Sequence, residues 1–368
     1  MVPPIPARAI STRATGSILA SSTLSDPYIA AAFWTGLAAL LLTILLALQI
    51  MRLRMALRRR ERLEARALAK WRPLLNATVA GEPPHQLPPL LQAERLPLLK
   101  VWVHLQASMR GDAQEGLNAL ARSLALDALC REKLARGQRA ERLLATLVLG
   151  YLRDAQGWPY LLRAAGEDDQ TLAQNALWAL ARINPAAGAA HMMTFFIQQD
   201  DWAIARVVYI LQEAREPAAE ILAQMLPQLD DAGLTRGLRI AEGLRVSLPA
   251  SMIAAALRRN AVPTLIAALR NASGPETLAE VRTLLAHDDW QVRLQAAKAL
   301  GRLGSRNDAA LLVPLLQDAH WWVRYRTAQS LLELPALSAG DIATLRASLS
   351  DRFARDMLAQ VMAEKGMA

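Results

Sequence analysis

A pattern of about thirty residues returns along most of this chain, and no other feature restricts its fold as strongly. Asp168-Asp169-Gln170-Thr171-Leu172 leads into Ala176-Leu177-Trp178-Ala179-Leu180-Ala181-Arg182-Ile183. Asp288-Asp289-Trp290-Gln291-Val292-Arg293 leads, without a gap, into Ala296-Ala297-Lys298-Ala299-Leu300-Gly301-Arg302-Leu303. Trp321-Trp322-Val323-Arg324, followed by Thr327, Ala328 and Leu331, repeats the second copy 31 residues on. Asp200-Asp201-Trp202 and Asp230-Asp231 open two more copies, Arg142 with Leu149 to Leu152 an earlier one, and Asp351-Arg352-Phe353-Ala354-Arg355 the last.

Each residue type has a physical task. An aspartate ahead of the apolar run can accept hydrogen bonds from the free amides of a helix N-terminus. Val292, Ala296, Ala299, Leu300 and Leu303 recur at helical spacing and make one face. Small alanines let neighbouring helices approach closely, and a short second helix follows a turn, as in residues 309–316 after Gly304. A pair of such helices cannot bury its apolar faces alone, so the units must stack. Composition agrees: 53% of residues are hydrophobic and only 5% aromatic, with Ala and Leu dominant, so strand signals are scarce. The expectation is an all-α chain whose residues 98–368 form a curved solenoid of helical hairpins with an extended concave side.

The residues from Asp289 to Gly304 spell Asp-x-x-Val-Arg-x-x-Ala-Ala-x-Ala-Leu-Gly-x-Leu-Gly, and in this they resemble the HEAT-repeat family, in particular its short bacterial form. The resemblance is specific over residues 280–335 and fair over 138–245; residues 245–275 stay helical but lose the motif, with Pro263 and Gly274 as breaks. It implies an α-solenoid and protein scaffolding without identifying a partner. Some relatives act on chromophores or nucleic acids, so an enzyme of the chromophore-lyase or nucleic-acid-repair type is the competing expectation.

Ahead of the repeats, residues 28–51 contain no charge over 24 positions, enough to cross a bilayer, with Tyr28, Phe33 and Trp34 at one end. Arg52, Arg54, Arg58, Arg59, Arg60 and Arg62 follow at once. The span is too long, and its N-terminal flank too weakly basic, for a cleaved signal peptide. The expectation is a single-pass anchor in a bacterial inner membrane: an extracytoplasmic tail (1–27), a transmembrane helix (28–51) that contacts lipid and a basic helix (52–72) at the cytoplasmic surface. A Pro-rich linker (73–97) without a core of its own then leads to the cytoplasmic repeats. The arginines set topology and would also meet anionic headgroups. Small residues every fourth position, Ala31, Thr35, Ala39, Thr43 and Ala47, suit self-association in the membrane, although lipid tolerates them equally well.

Charge narrows the partners. Of the formal net charge of +9, residues 1–51 carry +1 and residues 52–72 carry +7, which leaves +1 for 73–368. A nucleic-acid-binding solenoid needs basic charge along its length, so no nucleic-acid partner is expected. The single cysteine, Cys130, excludes an internal disulfide. The chain has no phosphate-binding Gly loop, H-E-x-x-H, paired-Cys motif or G-x-S-x-G. His85, His104, His191, His287 and His320 are scattered, with His287 and His320 at repeat turns. The expectation is therefore no enzyme, no catalytic or metal site and no cofactor. The candidate protein-binding residues are the aromatic and basic set at the repeat starts: Trp322, Trp290, Trp321, Arg293, Arg324 and Arg326. Trp322 is the preferred surface anchor, because its counterpart is Gln291; Trp290, Trp321, Arg293 and Arg324 also suit packing within and between repeats. Arg352, Arg355, Asp356, Glu364 and Lys365 suit a polar cap on the last repeat.

Overall fold

The computed structural model describes residues 27–82, 84, 86–198, 202–335 and 337–366, without the side chains of residues 27, 29, 30 and 60. The expected tail, apart from residue 27, lies outside the described residues, as do His85, the Asp200-Asp201 repeat start and the Arg60 side chain. Every element among the described residues is helical. The chain divides into two compact units, one of residues up to 76 with 84–101, the other of residues 77–83 and 102–368.

The first unit is dominated by α1 (Pro27–Val79), whose 53 residues span about 80 Å. It is long and apolar enough to cross a membrane, with a mean hydropathy of 2.2 in its most apolar window. Leu40, Leu41, Leu42, Leu45 and Leu48 are all exposed. Further along, Ala67, Trp71 and Leu75 recur every fourth residue and are buried. Here the structure departs from the sequence expectation, which ends the basic helix at residue 72: Pro73 lies inside α1, which continues to Val79. An interior proline costs about 3 kcal/mol. Burying Trp71 and Leu75 on either side returns roughly 1.5–3 kcal/mol each and outweighs it.

The Pro-rich segment is likewise tied down. Lys70 Nζ donates to Pro89 O (3.0 Å) and to Glu94 Oε2 (2.8 Å), the Trp71 indole donates to the same carboxylate (3.1 Å), and Lys100 pairs with Glu64 (2.8 Å). Burial works to raise the Glu94 carboxyl, but these donors outweigh it and hold it below the usual range. α2 (Arg95–Ser108) follows.

The second unit is a two-row stack. Its helices are α3 (Asp112–Ser123), α4 (Leu126–Arg136), α5 (Arg139–Leu152), α6 (Trp158–Ala165), α7 (Gln170–Ile183), α8 (Pro185–Gln198) and α9 (Ile204–Leu211). They continue with α10 (Arg215–Met225), α11 (Asp231–Leu244), α12 (Ala250–Ala256), α13 (Val262–Asn271) and α14 (Leu278–Thr283). The last are α15 (Trp290–Leu303), α16 (Ala309–Leu312), α17 (Trp321–Glu333), α18 (Ala339–Ser348) and α19 (Arg352–Glu364). From α5 onward the odd-numbered helices pack each on the next in one row, and α12, α14, α16 and α18 each pack on the odd helix that follows.

The aspartates cap as expected. Asp169, Asp289 and Asp351 each accept from the second and third amides of α7, α15 and α19, and Asp230 accepts from Gly233 N in α11. α17 differs: His320 holds the cap position without a side-chain bond. The second helix after Gly304 is α-helical only over Ala309–Leu312 and then tightens to a 3-10 helix, Val313–Gln317. Pro314 lacks the amide that would continue the α-helix. Pro263, by contrast, stands in the first turn of α13, where a missing donor is harmless.

Close approach of α15 and α17 depends on Gly301. A Cβ there would stand 2.6–2.8 Å from the Cβ, Cα and carbonyl oxygen of Ser330. Gly150 meets Trp178 and Ala179 in the same way between α5 and α7. Gly301→Ala is therefore expected to destabilise the array by about 1–3 kcal/mol despite alanine's higher helix propensity. Urea denaturation followed by circular dichroism checks this, and an unchanged or raised midpoint would contradict it.

Candidate binding surface

The repeat starts hold the sequence-predicted residues, and the structure separates struts from surface. Arg293 is a strut. Its Nε and Nη2 donate to the two carboxylate oxygens of Asp318 (2.7 and 3.0 Å), and its Nη1 reaches the carbonyls of His287 and Asp288 (both 2.8 Å). Burial works against the charge on Asp318, but Arg293 and the His320 amide outweigh it and keep the carboxyl below its ordinary range. Arg324 Nη1 donates to the carbonyls of Asp318 (2.6 Å) and Ala319 (3.2 Å), which repeats the arrangement one unit on. Equivalent stitches run through the stack, as in Arg131 to Asp154, Arg182 to Glu213 and Arg282 to Asp308. Arg293 and Arg324 thus hold turns together, and of the three candidate arginines only Arg326 has a side chain without a hydrogen bond or ion pair among the described residues.

The tryptophans divide similarly. Trp202 is buried between Phe195 and Phe196, with ring centroids 5.4 and 5.5 Å away, and belongs to the core. Trp290 is half-buried and stacks on the His320 imidazole at 5.0 Å. Trp321 stacks on Tyr325 at 5.1 Å, and Trp322 stands edge-on to it at 4.7 Å. Trp321 is 42% exposed and Trp322 58%.

One residue of this surface escaped the sequence reading. Phe353 is 75% exposed and lies in α19, which packs on α17. It stands two residues after the cap Asp351, the register that Trp322 holds after His320. The polar-cap expectation for the last repeat passed over it. Beside it Arg352 faces Asp356 at 3.6 Å, and at the far end of α19 Lys365 reaches Glu333 at 3.3 Å and Tyr325 donates to Glu364 at 2.8 Å.

Two residues with potential chemistry, His287 and Cys130, have structural employment. His287 Nδ1 accepts from the Asp289 amide at 3.0 Å. Cys130 is buried, and desolvation pushes its thiol up to about 12. In the first unit, the side chains of Arg52, Arg54, Arg58, Arg59 and Arg62 project into solvent from α1 without a hydrogen bond or ion pair among the described residues.

The profile of the family described as HEAT repeats matches residues 254–360, which include α13, α15 and α17 with their caps and Gly301. Over these residues the chain carries HEAT repeats. No curated protein matches it. Among solved structures, an engineered protein is 15% identical, covering 78% of this chain and 88% of its own, with a TM-score of 0.38. Importin beta is 14% identical over 80% of this chain and 41% of its own (TM-score 0.37). The archaeal HEAT-like repeats protein of Thermococcus onnurineus NA1 is 14% identical over 66% of this chain and 98% of its own (TM-score 0.28). The helical array joins capped helices, arginine struts and an exposed aromatic edge on α17 and α19.

Proposed function

We propose that this HEAT-repeat chain is a membrane-tethered scaffold that holds a protein partner at the cytoplasmic face of a bacterial inner membrane. The observation that carries the reading is the pair of exposed aromatics, Trp322 and Phe353, in one register of adjacent repeats. Large aromatic side chains left in water on a repeat array suit a partner's pocket, where such residues dominate binding energy. Arg326, on the same helix as Trp322, supplies a cation without an internal ion pair among the described residues. The tether is the apolar part of α1, oriented by the arginines from Arg52 onward. A partner within an envelope assembly fits a scaffold fixed at the membrane.

The test is capture from detergent-solubilised membranes with the full-length chain as bait. Trp322→Ala should reduce recovery of the specific partner at least tenfold, equivalent to about 1.4 kcal/mol, while the thermal unfolding of the bait stays unchanged. Equal recovery by both baits, or no specific protein with either, would contradict the proposal.

A further inference from the structure

A second surface is built by register rather than by aromatic exposure. Arg239 in α11, Arg270 in α13 and Lys298 in α15 each stand nine residues after the cap of their helix, namely Asp230, Ala261 and Asp289. All three are exposed, and the three helices pack side by side. The side chains of Arg239 and Lys298 make no hydrogen bond or ion pair among the described residues, and Arg270 has only Glu242 at 3.8 Å.

Two adjoining hollows, of about 300 and 230 Å³, run beneath these cations; Arg239 and Arg270 line the first, and Arg270, Lys298 and Arg302 the second. Arg270 and Gln295 belong to both, so the hollows form one groove. Ile266 and Leu294 give it an apolar floor, and Glu242 is the only carboxylate among its lining residues. Arg239, Arg270, Lys298 and Arg302 against Glu242 make the groove strongly basic, although residues 73–368 together carry only +1.

We infer that this groove binds an extended acidic segment of a protein, with carboxylates about every third residue. The inference rests on the protein-binding reading above and deepens it. Packed helices lie about 8–10 Å apart, so one cation per helix sets that spacing along the groove. A polyproline II chain advances roughly 3.1 Å per residue with three residues per turn, so every third side chain faces the groove and one turn matches one step. The apolar floor receives intervening small side chains, and the Gln291 and Gln295 amides can pair with the peptide backbone. A single-stranded nucleic acid fits less well, since it needs free aromatic faces for its bases. The one tryptophan lining the groove, Trp290, already stacks on His320.

The test uses the full chain in nanodiscs of uncharged lipid and a fluorescein-labelled probe of four Glu-Ala-Pro triplets, read by fluorescence anisotropy. The spaced probe should bind, and Arg239→Glu with Lys298→Glu should raise its Kd at least tenfold while the circular-dichroism melt stays unchanged. Arg239→Gln with Lys298→Gln should give a smaller loss in the same direction. A probe of the same composition with its glutamates contiguous should bind at least fivefold more weakly. No measurable binding of the spaced probe, an unchanged Kd in the charge-reversed chain, or equal affinity for the contiguous probe would overturn the inference. So would a twelve-residue oligo-dT that binds more tightly than the peptide and loses more on charge reversal. If the groove fails while Trp322-dependent capture persists, the scaffold reading stands without it. If capture fails while the spaced probe binds in the groove, the aromatic edge is the part that falls.

Discussion

Arg236→Met is expected to lower the stability of the repeat array by about 3 kcal/mol, the upper end of what one charged, hydrogen-bonded side chain contributes. Arg236 is 9% exposed on α11. Its Nε donates to Phe196 O at 2.5 Å and its Nη2 to Trp202 O at 2.8 Å. Phe196 lies in the last turn of α8, where carbonyls have no partner within the helix and the dipole is negative, so a cation suits them twice over. Methionine keeps much of the volume but removes the guanidinium from both carbonyls, at roughly 1–3 kcal/mol for each buried acceptor left without a donor. Arg239→Met, three residues on and exposed, should stay within about 0.5 kcal/mol of the parent. Chemical denaturation of the full-length variants in detergent decides this, and equal losses would show that the buried guanidinium has no such role.

The second large effect concerns the tether. Leu41→Arg combined with Leu45→Arg should move the chain from the membrane pellet to the aqueous fraction after alkaline extraction. Arginine near the centre of a span costs about 2.5–3.5 kcal/mol, so the pair removes roughly 6 kcal/mol of insertion energy. Both leucines are more than half exposed within the protein, at 58% and 60%, so the exchange breaks no internal packing. The helical signal of the soluble repeats should therefore be unchanged. Retention of the double variant in the membrane would contradict a span at these residues.

The fold was legible because its local signals agree. Asp169 and Asp289 cap helices at the positions where their sequence copies align, and the apolar spacing after them marks the buried faces. Gly301 could be read as part of a motif, but its closeness to Ser330 belongs to a contact 29 residues away in the chain. The binding surface was legible only in part. Arg293 and Trp322 look alike in sequence as conspicuous residues at a repeat start. Only the turn beyond, with Asp318 facing Arg293, turns one into a strut. Trp202 shares the Asp-Trp spelling of Trp290, yet α9 begins only at Ile204, so Trp202 precedes the helix and packs on Phe195 and Phe196. Phe353 was passed over because a last repeat is expected to be polar, although its register after Asp351 matches that of Trp322. Arg236 carries no local signal, since an arginine on an amphipathic helix reads as solvated until the carbonyls it serves are brought to it.

The central claim, a tethered array whose α17–α19 edge holds a protein, is tested most directly by site-specific photo-crosslinking in living cells. A photoreactive residue is placed in turn at Trp322, at Phe353 and at Ala343, an exposed position on α18. One discrete protein adduct is expected from positions 322 and 353, recovered in the membrane fraction, and none from position 343. The absence of an adduct at 322 and 353, or the same adduct from all three positions, would contradict it.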